Sequence, residues 1–162
     1  MPEPRALTLL AFDFGFKRIG VAVGDTVTAS TSPCAAVRGD IRAAGSAGPD
    51  WEAIERQIRA VGPQRLVVGA PYNEDGGSTP MTAAARKFAK ELALRFALPV
   101  SCVDERYSSL DAAAALKARR ASGARKHRVT REAIDSVSAA LILERWLAGE
   151  GRELEDLDTE QS

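Results

Sequence analysis

The sequence has only one histidine and two cysteines, and its formal net charge is zero. The scarcity of histidine and cysteine excludes several classes of site. A single imidazole, at His127, cannot build a zinc centre that combines several histidines and cysteines. A Ser–His–Asp triad would also need His127, but the chain has no Gly-x-Ser-x-Gly turn to present the nucleophile. Cys34 and Cys102 are far apart and form no Cys-x-x-Cys pair, so we expect two reduced thiols in the core.

The chain also lacks an apolar run long enough to span a membrane. Its first ten residues, MPEPRALTLL, lack the apolar segment and the small-residue cleavage site of a signal peptide. We therefore expect a cytoplasmic protein with no membrane partner. The 162 residues, 45% apolar and 27% charged, suit one globular domain with one core.

The neutral total hides an uneven distribution of charge. The stretch 117–131 contains seven basic residues and no acid, whereas most charged residues from Glu144 onward are acidic. A basic segment beside an acidic tail is compatible with a polyanion-binding face, but also with an ordinary solvated helix and loop. Charge alone leaves both interpretations open.

Alternation of apolar runs with turn-forming residues predicts the order β-β-β-α-β-α-β-α-α. The first two strands, Leu7–Phe14 and Ile19–Gly24, are so close that they can pair only as an antiparallel hairpin. This start, followed by strand–helix alternation, predicts an α/β fold: a five-stranded mixed sheet with its first strand central and helices on both faces. We place the domain at residues 1–148 and expect the acidic tail 149–162 to be disordered. The helices are expected near Trp51–Val61, Met81–Phe96, Ser109–Ala121 and Arg131–Leu147.

Carboxylates interrupt the apolar patterns at three element ends. Asp13 ends the first strand, Asp104 and Glu105 end a later one, and Asp135 lies on the apolar stripe of the last helix. Each has a structural alternative: a turn cap for Asp13, pairing with Arg106 for the strand-end acid, and a buried ion pair for Asp135. Because side chains alternate along a strand, only one of Asp104 and Glu105 can lie on a given face.

Carboxylates that converge on one edge of a sheet form a site for Mg²⁺ or Mn²⁺, which prefer oxygen ligands and retain water and phosphate oxygens. Two such ions can activate a water and stabilise the leaving oxygen of a phosphodiester. We infer this convergence from the strand order. The sequence therefore predicts a metal-dependent hydrolase of phosphodiester bonds.

Four segments between Leu9 and Trp146 occur in a characteristic order and spacing: LLAFDFGFKRIGVAVGD, RLVVGAPYNEDGGS, VDERYSS and IDSVSAALILERWL. Together they resemble the motifs of the YqgF/RuvX family, namely its Asp-x-Gly-x-Lys hairpin, its Val-Gly-Leu-Pro-x-Asn-x-Asp-Gly segment, its Asp-Glu-Arg segment and its terminal helix. The departures are mild. Phe16 stands where a smaller residue is common, Ala70 replaces a leucine, and the loop 39–50 is long.

This resemblance implies an RNase H-like fold and a nuclease linked to maturation of the 5′ end of 16S ribosomal RNA, with Holliday-junction resolution as the alternative. It implies that Asp13, Glu105 and Asp135 bind the metal and carry catalysis, and it favours Glu105 over Asp104 because the family's acid is the glutamate of that motif. It also implies basic residues that hold nucleic-acid phosphate: Lys17, Arg18 and Arg106 near the site, and Arg125, Lys126 and Arg128 before the last helix.

Two other classes fit parts of the pattern. Actin-like and hexokinase-like ATPases also open with Asp-x-Gly on a first hairpin, but they need a duplicated domain for which 162 residues are too few. A non-catalytic RNA-binding factor for ribosome assembly or transcription, built on the same fold, is the other alternative, and the intact carboxylates argue against it. RNA and branched DNA both stay open as partners, and the sequence gives no oligomeric state.

Overall fold

The computed structural model describes residues 6–39, 48–70, 79–104 and 131–154, and for residues 131–135 it describes the backbone alone. The predicted helix near 109–121 and the basic segment before the last helix lie outside these residues. The described elements, in chain order, are β1 (Thr8–Asp13), β2 (Arg18–Asp25), β3 (Thr31–Arg38), α1 (Trp51–Val61), β4 (Arg65–Ala70), α2 (Pro80–Phe96), β5 (Val100–Asp104), α3 (Arg131–Leu147) and β6 (Arg152–Glu153).

The strands form one mixed sheet in the order β3-β2-β1-β4-β5-β6. The hairpin strands β1 and β2 are antiparallel, as are β2 and β3, whereas β1, β4 and β5 run parallel to one another. The first strand therefore lies inside the sheet, and the carboxyl ends of β1, β4 and β5 meet at one edge. The prediction of an α/β fold with a mixed sheet is confirmed.

The predicted number of strands is wrong by one, because Arg152 and Glu153 pair with β5 as a sixth, antiparallel strand. The Arg65 guanidinium holds this strand: its Nη1 lies 2.7 and 2.8 Å from the two carboxylate oxygens of Glu153. This ion pair joins residues 88 positions apart. Because the segment after Ala148 is polar and contains glycine, its own sequence predicts only a disordered tail. The remaining residues, 155–162, lie outside the described part of the chain.

Helices α1 and α2 cover one face of the sheet. Asp50 caps α1 by accepting a hydrogen bond from the Ala53 N–H at 3.2 Å, and Gly62 ends the helix with a left-handed φ of 64°. Thr79 caps helix α2, which begins at Pro80. A proline is well tolerated in the first turn of a helix because its missing N–H would have no partner there. Both helices pack apolar stripes on the sheet: Ile54, Ile58, Ala85, Phe88 and Leu92 lie in one core with alternate residues of β1, β2 and β4.

Helix α3 covers the opposite face. Ile142 and Leu143 pack against Leu9, Ala11, Val67 and Val103. Nearer the start of the helix, Ala139 and Ala140 pack against Ala22 of β2. Within the described residues, no helix is both long enough and apolar enough to cross a membrane.

Candidate functional site

Asp13 is the last residue of β1 and lies on the α3 side of the sheet. Side chains alternate faces along a strand, and Leu9 and Ala11 both belong to the core under α3. Asp13 continues this series after Ala11, and it is half-buried. The central strand therefore presents a carboxylate at the sheet edge where the parallel strands end, below the only helix described on that face.

Glycines flank Asp13 on both neighbouring strands. Its register partners are Gly20 on β2 and Gly69 on β4. Neither has a side chain that could cover the carboxylate from a neighbouring strand, and both are buried in the sheet. Sequence reasoning did not single out these two glycines, although both stand at strand-end positions of the quoted motifs.

The loop after Asp13 is kept short by Gly15. A Cβ at this position would lie 2.5 Å from the Arg18 carbonyl oxygen, so a larger residue would force the hairpin open. Because the hairpin is tight, Lys17 lies in the loop directly after the strand that ends at Asp13, and Arg18 begins the next strand. Lys17 is exposed and Arg18 is half-buried, as expected for cations able to reach a ligand from solvent.

Helix α3 runs antiparallel to β1, which brings its amino-terminal end towards Asp13. A Cβ at Gly24, the partner of Leu9, would touch the Leu143 side chain, while Ala139 packs on Ala22, the partner of Ala11. One further turn towards the helix start is position 135. This progression directs the start of α3 towards the end of the sheet at which β1 ends, while Ser136 lies over the edge strand β3.

Ser136 ties the start of α3 to the edge strand β3, a role that sequence reasoning missed. Its hydroxyl donates a 2.7 Å hydrogen bond to the Cys34 carbonyl oxygen, and the residue is 4% exposed. At the other end of the helix, Arg145 Nη1 donates to the Asp104 carbonyl oxygen at 2.9 Å. These two bonds fix α3 across the sheet from β3 to β5.

The structure separates Asp104 from Asp13. Val100 and Cys102 lie in the core under α1 and α2, whereas Val103 lies under α3. Asp104 continues the first series, so it lies on the face away from Asp13. Five predicted site residues lie outside the described part of the chain: Glu105, Arg106, Arg125, Lys126 and Arg128.

Among the described side chains, no three acidic, histidine or cysteine residues cluster as a metal site. Of the three predicted ligands, only Asp13 has a described side chain, so the carboxylate trio stays a prediction. Cys34 is a poor alternative ligand, because burial raises the pKa of its thiol and disfavours the thiolate.

Comparison with known proteins places this arrangement in a family. The family model described as "RuvX: Holliday junction resolvase" matches residues 7–149. The chain belongs to the RuvX family. The first five strands of the sheet, with Asp13 at the end of the central one, fall within the matched region.

Two relatives of this RuvX family member are similar over nearly their whole length. A protein of Xanthomonas oryzae pv. oryzae is 43% identical over 152 residues, which cover 91% of this chain and 94% of the relative. A protein of Coxiella burnetii is 45% identical over 141 residues, which cover 87% and 92%. Both carry the name "Putative pre-16S rRNA nuclease".

A solved structure shares the fold. Thermus thermophilus RuvC in complex with a Holliday junction substrate aligns with a TM-score of 0.51 over 91% of this chain and 99% of RuvC, at 14% identity. RuvC has an RNase H-like fold, so that prediction is confirmed. Family and relatives also confirm the prediction of a phosphodiester-cleaving nuclease, of a kind that generally depends on divalent metal and binds nucleic acid.

Proposed function

We propose that this protein is a cytoplasmic nuclease that processes the 5′ end of precursor 16S ribosomal RNA with Mg²⁺ or Mn²⁺. Its metal ligands and catalytic residues would be Asp13, Glu105 and Asp135. The observation that supports this most is the carboxylate of Asp13, which ends the central strand between two glycines on the face that α3 covers. The names of the two relatives support precursor 16S RNA as the substrate.

The residues around Asp13 suit a divalent cation. A half-buried carboxylate is a hard oxygen ligand, and Mg²⁺ usually takes one or two such groups while keeping several waters. Gly20 and Gly69 place no side chain between such an ion and the sheet. When bound, the ion supplies positive charge that activates a water and stabilises the leaving oxygen of the phosphodiester.

The chain's own residues would hold and orient the reacting groups. Asp13 sits on a strand paired on both sides, so its backbone moves little and its carboxylate keeps its place. Asp135 would approach from the helix above it. Glu105 follows the end of β5, two residues after Val103, which packs on the α3 side. A β5 strand extended by one residue would place Glu105 on the same side as Asp13.

Basic residues would bind the backbone of the substrate without reading its sequence. Lys17 and Arg18 belong to the hairpin next to Asp13, so they are suited to a phosphate close to the cleaved bond. We assign the same role to Arg106, and to the segment before α3 with its residues Arg125, Lys126 and Arg128. Phosphate contacts of this kind make affinity fall as salt concentration rises.

Asp13→Asn tests the proposed function. The amide keeps the size of the side chain but removes its charge, so we expect cleavage of a precursor 16S substrate to fall about a thousandfold, equal to roughly 4 kcal/mol in activation free energy. Cleavage would be measured by sizing the 5′ ends produced with Mg²⁺, with Mn²⁺ and with EDTA. Binding of the same RNA in EDTA should change little.

Glu52→Gln is the matched control, because it removes one carboxylate from the exposed side of α1 in the other layer. Equal cleavage by the wild type and Asp13→Asn would refute the assigned site. Binding without cleavage by the wild type under every metal condition would instead favour the non-catalytic binding factor.

Cleavage of a four-way DNA junction is the second candidate function. It is favoured by the description of the family model and by the likeness to RuvC, which at 14% identity concerns the fold alone. The two candidates are separated by offering both substrates to one preparation. Faster cleavage of the junction than of the precursor RNA would favour the resolvase.

A further inference from the structure

We propose that Arg38 is a further contact for the substrate backbone, and that with Arg18 it binds one backbone phosphate on the face of the sheet that carries Asp13. This inference rests on the proposed function, because it supplies the polyanion. Three observations carry it: an irregularity in β3, the bonds that hold that irregularity, and the charge of the pair it creates.

The irregularity is a β-bulge between β2 and β3. Cys34 lies opposite Val21 and Val37 lies opposite Ile19, so three steps along β3 match two steps along β2. Cys34 and Val37 both pack into the core under α1 and α2. In a regular strand, residues three apart would lie on opposite faces. Because of the extra residue, the side chains at the end of β3 lie on the opposite face of the sheet from the one they would have in a regular strand.

This reversal decides where Arg38 lies. Arg38 is the register partner of Arg18, and Arg18 follows the same face of β2 as Gly20, the partner of Asp13. Without the bulge, Arg38 would lie on the α1 and α2 side. With it, Arg38 shares the face of Asp13. Bulges are frequent beside active sites because they re-aim a side chain in this way.

The bulge is fixed from both layers. Gln57 of α1 donates from Nε2 to the Ala35 carbonyl oxygen at 2.8 Å, and Ser136 of α3 donates to the preceding carbonyl at 2.7 Å. After Arg38, the Gly39 N–H donates to the Lys17 carbonyl oxygen at 2.9 Å. A Cβ at Gly39 would collide with the Gly15 carbonyl oxygen. The end of β3 is therefore held tightly against the hairpin loop that carries Lys17.

The resulting pair places two guanidinium groups on one face. Directly opposed residues on antiparallel strands have Cβ atoms about 4.5–5.5 Å apart. Two guanidinium groups this close can bind the same anion, and their planar shape matches phosphate geometry. Arg38 is exposed, so a phosphodiester can reach it from solvent. Exposed Lys17 adds a third cation on the adjoining loop.

Arg38→Gln tests this inference by equilibrium binding of a single-stranded RNA with the precursor 5′ sequence, in EDTA so that no cleavage occurs. Because Arg18 stays on the same phosphate, loss of the second cation should make the slope of log affinity against log salt shallower by about 0.7 at most, and it should weaken binding at low salt. Arg38→Lys keeps the charge and should keep most of the slope. In cleavage assays, Arg38→Gln should raise KM more than it lowers kcat.

Arg56→Gln is the matched control, since it removes one exposed arginine from α1 in the other layer. Its salt slope should equal that of the wild type. Equal slopes for Arg38→Gln and Arg56→Gln, whether both changed or both unchanged, would overturn the inference. A lower slope for Arg38→Gln in a protein that cleaves no substrate would uphold the phosphate contact and count against the proposed nuclease instead.

Discussion

The two layers that cover the sheet differ in the residues at the centre of their contacts. Under α1 and α2 the sheet meets large aromatic side chains: the ring of Phe88 lies 5.7 Å from that of Phe12, 5.2 Å from that of Phe14 and 5.4 Å from that of Trp51. At the middle of α3, the contact with β2 is made by alanines, since Ala139 and Ala140 pack on Ala22. The first layer is suited to burying apolar surface, and the second to close approach.

Close approach matters because the proposed site is divided between the sheet and the helix. Asp13 belongs to the sheet and Asp135 to the helix, and the small residues at the middle of α3 let that helix lie close to β2. Burial of small residues contributes less hydrophobic stabilisation than burial of large ones. We therefore infer that the aromatic layer supplies most of the stability, while the α3 layer sets the distance across the site.

The largest effect on stability is expected from Phe88→Ala, which would empty the aromatic layer. Phe88 is 3% exposed, and truncation of a buried phenylalanine costs about 3–5 kcal/mol. Chemical denaturation would measure this loss. Nuclease activity per folded molecule at low temperature should stay within the same order of magnitude as the wild type. A selective loss of activity, with stability kept, would contradict the division of roles between the layers.

A smaller loss of stability is expected from Ala139→Leu, which would overfill the α3 layer. Ala139 is fully buried against Ala22, and added carbon atoms in a packed core cost about 1–3 kcal/mol. Because the larger side chain would push the start of α3 away from the sheet, cleavage should fall further than stability does.

Ala83→Leu on the exposed side of α2 is its control and should alter neither property. The comparison of layers would fail if Ala139→Leu were destabilised as strongly as Phe88→Ala while remaining fully active when folded.

The smallest effect is expected from Ser136→Ala, which removes the hydrogen bond from α3 to the Cys34 carbonyl oxygen. One such bond contributes about 1 kcal/mol to the free energy of unfolding. Ser138→Ala makes the same chemical change two residues later, at a buried hydroxyl that has no hydrogen-bond partner in the described part of the chain. Thermal denaturation should show a lower Tm for Ser136→Ala only. Equal shifts in Tm for both variants would show that the hydrogen bond of Ser136 does not anchor α3 to β3.

The sequence predicts the elements whose signals are local. Helix α1 begins and ends at the predicted residues, Trp51 and Val61, because its apolar spacing and its final glycine are both visible in the sequence. Helix α2 begins one residue earlier than predicted, at Pro80. Asp13 is found by the same local reasoning, since a carboxylate that ends an apolar strand stands out without any knowledge of the fold.

The features that depend on distant contacts could not be predicted. Strand β6 is held by Arg65, which lies 88 residues earlier than Glu153. The bulge in β3 is equally invisible, because the facing of Arg38 depends on which residues of β2 it pairs with. The direction of the start of α3 relative to Asp13 follows from how that helix crosses the sheet, and helical periodicity alone does not contain that information.

The two outer strands also determine how readily the sheet can pair with another extended chain. An exposed edge strand offers unpaired N–H and carbonyl groups to any other extended chain. At the β3 edge, Pro33 lacks an N–H, and the bulge carbonyls of Cys34 and Ala35 already accept bonds from the helices. At the opposite edge, two-residue β6 covers part of β5, which is otherwise rich in apolar residues. A chain that ended before residue 152 would expose that strand, and aggregation through β5 is the expected cost.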